Sequence, residues 1–189
     1  MIIENKSIFI RPKKIDFKGS SWVGHVPFGS WLVSELKPNV IVELGTHKGL
    51  SFLTFCESIK ENKLSSNAYA IDTWKGDHQA GYYGDEIYNE LKEYVDENYF
   101  GFAHLLRKTF DEASYEFENN SVDLLHIDGL HTYEAVKHDF EVWFPKLSDK
   151  AVVIFHDTSE TKDDFGVYKF WNEILKNYPG FEFKFWHGL

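Results

Sequence analysis

The sequence contains one cysteine, Cys56, in 189 residues and has no long apolar run. A single cysteine cannot form an internal disulfide, which is typical of a protein from a reducing cytoplasm. Cys56 falls on the apolar face of a predicted helix, so we expect a core residue and not a nucleophile. No apolar segment approaches the roughly 20 residues that a membrane helix needs, and no signal-peptide pattern opens the chain. We therefore expect a cytoplasmic protein without a membrane partner.

Basic residues are also scarce relative to acidic ones. The chain has 20 Lys and Arg against 30 Asp and Glu, which gives a net charge of −10. A nucleic-acid partner is not expected, because neutralising phosphates requires a basic surface. What the sequence does contain is 43% hydrophobic and 17% aromatic residues, enough for a folded core that needs no disulfides. A small molecule is the expected partner.

Apolar β-branched runs and helical spacings alternate along the chain. Helices are predicted between strands at residues 40–42, 67–72, 103–107, 122–128, 151–155 and 181–186. This alternation predicts an α/β fold, with a doubly wound, mostly parallel sheet and helices on both faces. Residues 1–21 are predicted to be an N-terminal arm, and residues 22–189 a single domain.

The first predicted strand leads into a glycine turn and then a helix, in the segment PNVIVELGTHKGLS (38–51). Gly45 and Gly49 permit a sharp turn and the close approach of a ligand. The helix directs its unpaired N–H groups and positive dipole end toward that turn. Glu43 adds an acid, which suits a zwitterion or a sugar-bearing ligand better than a bare phosphate. The alternative is an ordinary strand–helix turn whose glycines serve geometry alone.

Acidic residues end four of the first five predicted strands: Glu43, Asp72, Asp128 and Asp157. In doubly wound sheets, ligands bind at the carboxyl ends of the strands. Asp72, on the strand after the glycine turn, could accept hydrogen bonds from ribose hydroxyls. The dinucleotide pattern Gly-x-Gly-x-x-Gly is absent, because Thr46 stands at its middle glycine. A nicotinamide-dependent oxidoreductase is therefore the less favoured of two alternative functions.

A second constellation follows the fourth and fifth predicted strands. If these strands are neighbours, Asp128 and Asp157 lie about 5 Å apart, and a hard cation such as Mg²⁺ would relieve their repulsion. His131 could take a proton from a substrate hydroxyl. The alternatives are a capping or structural role for His131 and a loop role for Asp157. His156 is open between a ligand and a loop residue, whereas His126, inside a strand, is expected to be a satisfied core residue.

Four segments occur in one order: ELGTHKGLS (43–51), DTWKGD (72–77), HIDGLHTYE (126–134) and HD (156–157). Together they resemble the class I S-adenosylmethionine (SAM)-dependent methyltransferases, and more narrowly the branch that includes macrocin-type sugar O-methyltransferases. The resemblance runs from about Trp22 to the end of the chain. It implies a Rossmann-like fold, SAM as the cofactor, and O-methylation of a small hydroxylated acceptor such as a sugar or a sugar-containing natural product.

The resemblance also implies roles for individual residues. Those expected to bind the cofactor are Glu43, Gly45, Thr46, Gly49, Ser51, Asp72, Thr73, Trp74 and Asp128. Asp72 would hold the ribose hydroxyls, and Trp74 would pack beside the adenine. His131 would be the catalytic base, and Asp128 and Asp157 would bind a metal, with Mg²⁺ as the candidate ion. His156 stands where characterised members of that branch have an acid, and residues 73–88 would form a lid or substrate loop.

In the family that the chain resembles, a further antiparallel strand follows the sixth. Here the sequence ends just after the predicted sixth strand, so the last edge strand is expected to be missing. The chain could be a domain of a larger protein, or the N-terminal arm or a second subunit could complete the edge, which makes a homo-oligomer one expectation. A non-catalytic SAM-binding or assembly domain of a larger biosynthetic protein is the other alternative function.

Overall fold

The computed structural model describes residues 6–13 and 20–189. Its strands are β1 Val40–Leu44, β2 Asn67–Asp72, β3 Gly76–Asp77, β4 Gly81–Tyr82, β5 Ala103–Arg107, β6 Val122–Ile127 and β7 Leu147–Phe155. β3 and β4 form an antiparallel hairpin, and the other five strands form one parallel sheet in the order β5-β2-β1-β6-β7. The strand order reverses between β1 and β6, so a crevice forms at their carboxyl ends.

Helices cover both faces of this sheet, which confirms the predicted doubly wound α/β fold. Within the described residues, the α-helices are α1 Val26–Leu36, α2 Leu50–Glu61, α3 Asp85–Asn98, α4 Phe110–Ser114, α5 Tyr133–Trp143 and α6 Val167–Ile174. Helices α1, α2 and α3 pack on one face of the sheet, and α4, α5 and α6 pack on the other. Short 3-10 segments lie at Lys6–Phe9, Ser21–His25 and Phe144–Lys146.

Adjacent residues of the central strands enter opposite cores. Ile41 and Leu124 belong to the core beneath α1, α2 and α3, whereas Val42 and Leu125 belong to the core on the other face. All four side chains are fully buried. Burial on both faces is the physical reason that β1 and β6 have nearly continuous apolar sequences.

The first five predicted strands are present, with small differences in their bounds. The predictions at 67–72 and 103–107 coincide with β2 and β5, and the prediction at 151–155 covers the last part of β7. The fourth and fifth predicted strands are neighbours, since β6 pairs with β7 in parallel. This pairing is the condition on which the predicted meeting of Asp128 and Asp157 depended.

The predicted sixth strand at 181–186 is wrong. The segment closes on itself, because the Phe183 N–H donates to the Leu189 carbonyl and the Leu189 N–H donates to the Phe183 carbonyl. The Asp157 N–H donates to the Gly188 carbonyl, which ties this turn to the end of β7. The alternating pattern therefore has no partner strand, and Phe181 and Phe185 are 74% and 78% exposed. Within the described residues, the sheet ends at β7 without a further edge strand.

The region predicted as a lid loop contains the β3–β4 hairpin, and α3 begins at its end. Parts of the predicted arm, residues 1–5 and 14–19, lie outside the described residues. In the described part, the Ser30 hydroxyl of α1 donates to the Ile10 carbonyl at 3.0 Å. The boundary between arm and domain stays a prediction. In the part of the chain that the structure describes, no helix is both long and apolar enough to cross a membrane.

Candidate functional site

A cleft of about 520 Å³ opens at the carboxyl ends of the parallel strands. This volume is in the range of small-molecule sites. Seven of the nine residues predicted to bind the cofactor line the cleft, and so do the predicted base and the second predicted metal ligand. These lining residues are Gly45, Thr46, Gly49, Ser51, Asp72, Thr73, Asp128, His131 and Asp157.

The glycine turn has a positive φ at two positions and packs closely on its neighbours there, on backbone at Gly45 and on a leucine side chain at Gly49. Gly45 has φ +86°, and a Cβ there would lie 2.1 Å from the Asp128 carbonyl oxygen. Gly49 also has φ +86°, and a Cβ there would lie 2.6 Å from the Leu91 Cδ1 atom of α3. Both glycines therefore allow the turn to fit between the end of β6 and α3.

Asp72 holds this turn through backbone hydrogen bonds. Its Oδ2 accepts from the N–H groups of Thr46 at 3.0 Å and His47 at 2.9 Å, and its Oδ1 accepts from the Trp74 N–H at 2.7 Å. The carboxylate thus fixes the β1–α2 turn against the end of β2 and still lines the cleft. Its predicted contact with ribose hydroxyls stays a prediction.

Glu43 lies outside the cleft lining, in the core. The side chain is fully buried, and its Oε2 accepts from His126 Nδ1 at 2.8 Å. Trp22 Nε1 donates to His126 Nε2 at 3.2 Å, so the proton of a neutral imidazole sits on Nδ1. Burial raises the pKa of the Glu43 carboxyl, and the hydrogen bond from His126 opposes that rise. His126 is a satisfied core residue, as predicted.

Trp74 also lies outside the cleft lining, behind the glycine turn. It is fully buried, its Nε1 donates to the His47 carbonyl at 3.0 Å, and its ring packs on Tyr88 at 5.0 Å. These contacts support the glycine turn from outside the cleft lining. Cys56 lies on the buried face of α2, in the hydrophobic core. Burial raises the pKa of its thiol well above the usual value, which confirms the expected structural role.

Two histidines and two aspartates meet at the far end of the cleft. His131 Nε2 lies 3.2 Å from Asp128 Oδ1 and 2.9 Å from Asp157 Oδ2. His156 Nδ1 lies 3.2 Å from each of the same two oxygens. We call Asp128, His131, His156 and Asp157 the His/Asp cluster. Asp128 follows β6, His131 precedes α5, and the other two follow β7, so parallel strand pairing brings them together.

The His131 ring is held by the β3–β4 hairpin and by the loop before α6. Gln79 Oε1 accepts from the His131 backbone N–H and lies 3.0 Å from its ring Nδ1. Gln79 Nε2 donates to Asp164 Oδ1 at 2.6 Å. On its flat side, the imidazole stacks on Phe165, with ring centres 4.9 Å apart and planes 6° apart. These contacts direct Nε2 toward the two carboxylates.

Opposite charges shift the pKa values within the His/Asp cluster. Burial lowers the pKa of His131, but its hydrogen bonds to Asp128 and Asp157 raise it to about 9. Burial likewise lowers the pKa of His156, and the charge of Asp128 raises it to about 10. Burial raises the pKa of Asp157, whereas hydrogen bonds from His131 and His156 lower it to about 2. The carboxylates therefore stay ionised and stabilise positive charge between them.

Three kinds of site residue were not predicted from the sequence. Gln79 lies in the predicted lid loop, but no pattern distinguishes it from its polar neighbours. Ser20 and Ser21 line the cleft although that stretch resembles an arm in sequence. Tyr83 also lines the cleft, and its ring lies 5.1 Å from the His47 ring. Only tertiary packing brings these residues to the site.

Comparison with known proteins agrees with this geometry. A family model described as a methyltransferase domain matches residues 42–158. The chain is 49% identical over 170 residues to the uncharacterized protein y4gI of Sinorhizobium fredii, a match that covers 90% of this chain and 19% of that protein's length. Because the chain spans about a fifth of that protein's length, the activity and partners of the full-length relative are not carried over to it.

Two solved structures share the fold. The O-methyltransferase TomG from Streptomyces achromogenes, in complex with SAM, has a TM-score of 0.60 at 12% identity, with 82% of this chain and 69% of that chain covered. CalS11, a TDP-rhamnose 3'-O-methyltransferase of calicheamicin biosynthesis, has a TM-score of 0.59 at 22% identity, with 74% and 65% covered. The chain thus belongs to the methyltransferase domain family and has the Rossmann-like fold of the class I SAM-dependent methyltransferases.

Proposed function

We propose that this chain binds SAM and transfers its methyl group to a hydroxyl oxygen of a small acceptor such as a sugar or a sugar-containing natural product. The observation that carries the proposal is the cleft itself, because one cavity contains both the glycine turn and the His/Asp cluster. TomG and CalS11 support it by analogy of fold, since one is bound to SAM and the other methylates a sugar nucleotide.

The cleft fits a ligand that carries both a nucleoside and an amino-acid group. Gly45 and Gly49 line the cleft with backbone alone, and Asp72 offers carboxylate oxygen. The Thr46 Oγ1 is buried without a hydrogen-bond partner among the described residues. A buried hydroxyl without a partner favours a polar ligand beside it. When bound, SAM supplies an electrophilic methyl group on a sulfonium.

The residues of this chain then have three tasks: to align the acceptor oxygen, to handle its proton and to exclude water. The His/Asp cluster is the group of charged side chains in the cleft that would face the acceptor hydroxyl and its proton. The β3–β4 hairpin, through Gln79, covers this end of the cleft. Alignment in a closed cleft contributes most of the rate in such a reaction.

Isothermal titration calorimetry tests the cofactor assignment without an acceptor. We expect SAM and S-adenosylhomocysteine to bind with one site per chain, and NAD and NADP not to bind. Thr46→Val should weaken SAM about two- to tenfold, because it removes one neutral hydrogen bond to the ligand. Thr158→Val is the matched control, since the Thr158 Oγ1 is also buried without a partner in the described structure but lies outside the cleft lining.

Three results would contradict the proposal. Binding of NAD but not SAM would favour the oxidoreductase alternative. SAM binding without methyl transfer to any hydroxylated acceptor, in a screen read by S-adenosylhomocysteine release, would favour the non-catalytic alternative. An equal loss of SAM affinity in Thr46→Val and Thr158→Val would show that the effect is not local to the cleft.

A further inference from the structure

The His/Asp cluster occupies the position predicted to hold Mg²⁺, but its donor atoms do not match that ion. Mg²⁺ prefers an all-oxygen shell, with several waters and one or two carboxylates. Here two of the four converging atoms are imidazole nitrogens, from His131 and His156. Imidazole suits Zn²⁺, Fe²⁺ and the neighbouring divalent transition ions. The two imidazoles therefore give this site a different chemistry from that of a magnesium site.

The spacing of the four atoms fits direct ligands of one ion. His131 Nε2 and His156 Nδ1 each lie 2.9 to 3.2 Å from the same two oxygens, Asp128 Oδ1 and Asp157 Oδ2. Two ligands at about 2.1 Å from a metal lie about 3.0 Å apart at a right angle and about 3.4 Å apart at the tetrahedral angle. All four atoms lie within 4.8 Å of one another. The set is thus compact enough to surround a single ion.

The orientation of His131 also favours a cation. Because a backbone N–H must donate, the atom of Gln79 that meets the His131 N–H is an oxygen. The same oxygen lies 3.0 Å from ring Nδ1, so Nδ1 carries a proton there. With Nδ1 engaged by Gln79, ring Nε2 is the atom that faces the two carboxylate oxygens, 3.2 Å from Asp128 Oδ1 and 2.9 Å from Asp157 Oδ2. A positive charge, either a proton or a metal ion, is stabilised at that point. An outer hydrogen bond of this kind is what orients metal-binding histidines.

Asp157 also has a neighbour outside the cluster, although its Oδ1 forms no hydrogen bond among the described residues. Asp157 uses Oδ2 toward the two histidines, and its Oδ1 lies 3.2 Å from His187 Nδ1. The His156 ring is 2% exposed and packs edge-on against His25, with ring centres 5.7 Å apart. Three of the four cluster side chains, those of His131, His156 and Asp157, therefore contact residues outside the cluster.

We infer that the His/Asp cluster binds a divalent transition metal of the Zn²⁺ type through two imidazoles and two carboxylates, in preference to Mg²⁺. In this assignment His131 is a metal ligand and not the free base predicted from the sequence. The metal site stands on the cluster geometry alone. Its role, to orient neighbouring oxygens of the acceptor, rests on the proposed function.

Metal binding can be measured directly on the full chain, prepared without a polyhistidine tag and stripped with EDTA. Equilibrium dialysis followed by elemental analysis should give one Zn²⁺ or Co²⁺ per chain, bound at least about 100-fold more tightly than Mg²⁺. The Co²⁺ form should show visible d–d absorption whose energy and intensity indicate mixed nitrogen and oxygen ligands.

Three cluster variants and one surface control separate metal ligation from general effects on the fold. His131→Ala and His156→Ala should each lower Zn²⁺ affinity at least about 100-fold, since loss of an outer-shell partner alone costs about 10- to 100-fold. His156→Glu should reduce the preference for Zn²⁺ over Mg²⁺, because it replaces nitrogen with oxygen. His138→Ala is the matched control: His138 pairs with Asp111 on the surface, and its loss should leave Zn²⁺ affinity unchanged.

The inference is overturned if Mg²⁺ binds as tightly as Zn²⁺, if no ion binds, or if His131→Ala retains full Zn²⁺ content. It is also overturned if the His138 control loses the metal to the same extent as the cluster variants. SAM titrations on the same samples keep the two proposals apart. If the chain binds SAM but does not bind Zn²⁺ or Co²⁺, this inference alone is refuted. If the chain binds Zn²⁺ but does not bind SAM, the proposed function alone is refuted. Circular dichroism of each variant identifies any that fails to fold.

Discussion

At the scale of single residues, Gly45 shows why a sequence pattern and its physical cause can differ. The sequence indicated that this glycine leaves space for a ligand. In the structure, the space beside its Cα is filled by the backbone of the Asp128 turn. The glycine is thus required for the β1–α2 turn to meet the end of β6, and it affects the ligand through that contact.

Gly45→Ala is expected to destabilise the fold as well as weaken SAM binding. Gly101→Ala is the matched control, because Gly101 also has a positive φ, +94°, but has no atom within 4 Å of its added Cβ. The control should lose about 1–2 kcal/mol of unfolding free energy, because alanine is unfavourable in the left-handed conformation. The Gly45 variant should lose about 1–3 kcal/mol more from the clash. Urea denaturation measures both, and equal losses would contradict the packing argument.

The sequence could predict that Asp128 and Asp157 meet, because parallel neighbours end at the same edge of a sheet. The sequence also predicted that Glu43 would bind the cofactor. The alternation of side chains along β1 instead directs Glu43 into the core. Glu43 lies two positions after Ile41 in β1, so both side chains project from the same face of the sheet into the core beneath α1 and α2. That period of two was present in the sequence. The contacts of Glu43 with His126, and of His126 with Trp22, were known only from the tertiary structure.

At the scale of elements, the strand predictions were correct where the segment pairs with a neighbouring strand, and wrong where no neighbouring strand is present among the described residues. The strands β2 and β5 have their predicted bounds, since each pairs along its length with a neighbour. The alternating segment 181–186 has equal strand propensity, but its backbone is satisfied by its own turn. The β3–β4 hairpin has only two residues per strand, which is too short for any periodic signal.

That hairpin should be coupled to the His/Asp cluster through one side chain. Gln79→Ala removes the acceptor of the His131 N–H, so hydrogen exchange should accelerate both in the hairpin and in residues 128–134. His78→Ala is the matched control, because His78 contacts Asp164 at 2.8 Å on the surface, as Gln79 does, but not His131. The control should accelerate exchange in the hairpin only. Mass spectrometry of the two peptides measures this, and protection of residues 128–134 in the Gln79 variant would disprove the coupling.

At the scale of the whole molecule, one buried acid outside the site should control how stability varies with pH. Asp139 of α5 is 6% exposed and belongs to neither the glycine turn nor the His/Asp cluster. Burial raises the pKa of its carboxyl to about 7; the charge of His138 opposes that rise and the charge of Asp111 adds to it. In an unfolded chain the same group titrates near 3.8.

The folded state therefore binds more protons than the unfolded state between about pH 4 and pH 7. The contribution of Asp139 to stability is fully present below pH 4 and is lost as the pH rises through 7, because ionisation of the buried carboxyl is unfavourable. Asp139→Asn is neutral at every pH and should avoid that loss. At about 1.4 kcal/mol for each pKa unit, the gain at pH 8 is at most about 4 kcal/mol of unfolding free energy.

Urea denaturation of wild type and Asp139→Asn at pH 4 and pH 8 tests this expectation. The two proteins should have similar stability at pH 4, and the variant should be the more stable one at pH 8. Asp149→Asn is the control, because Asp149 is exposed on β7 and the same change of charge there acts only through the net charge of −10. A gain of equal size in both variants would assign the effect to charge repulsion over the whole surface. A gain confined to Asp139→Asn would assign it to the burial of one carboxylate beneath the sheet.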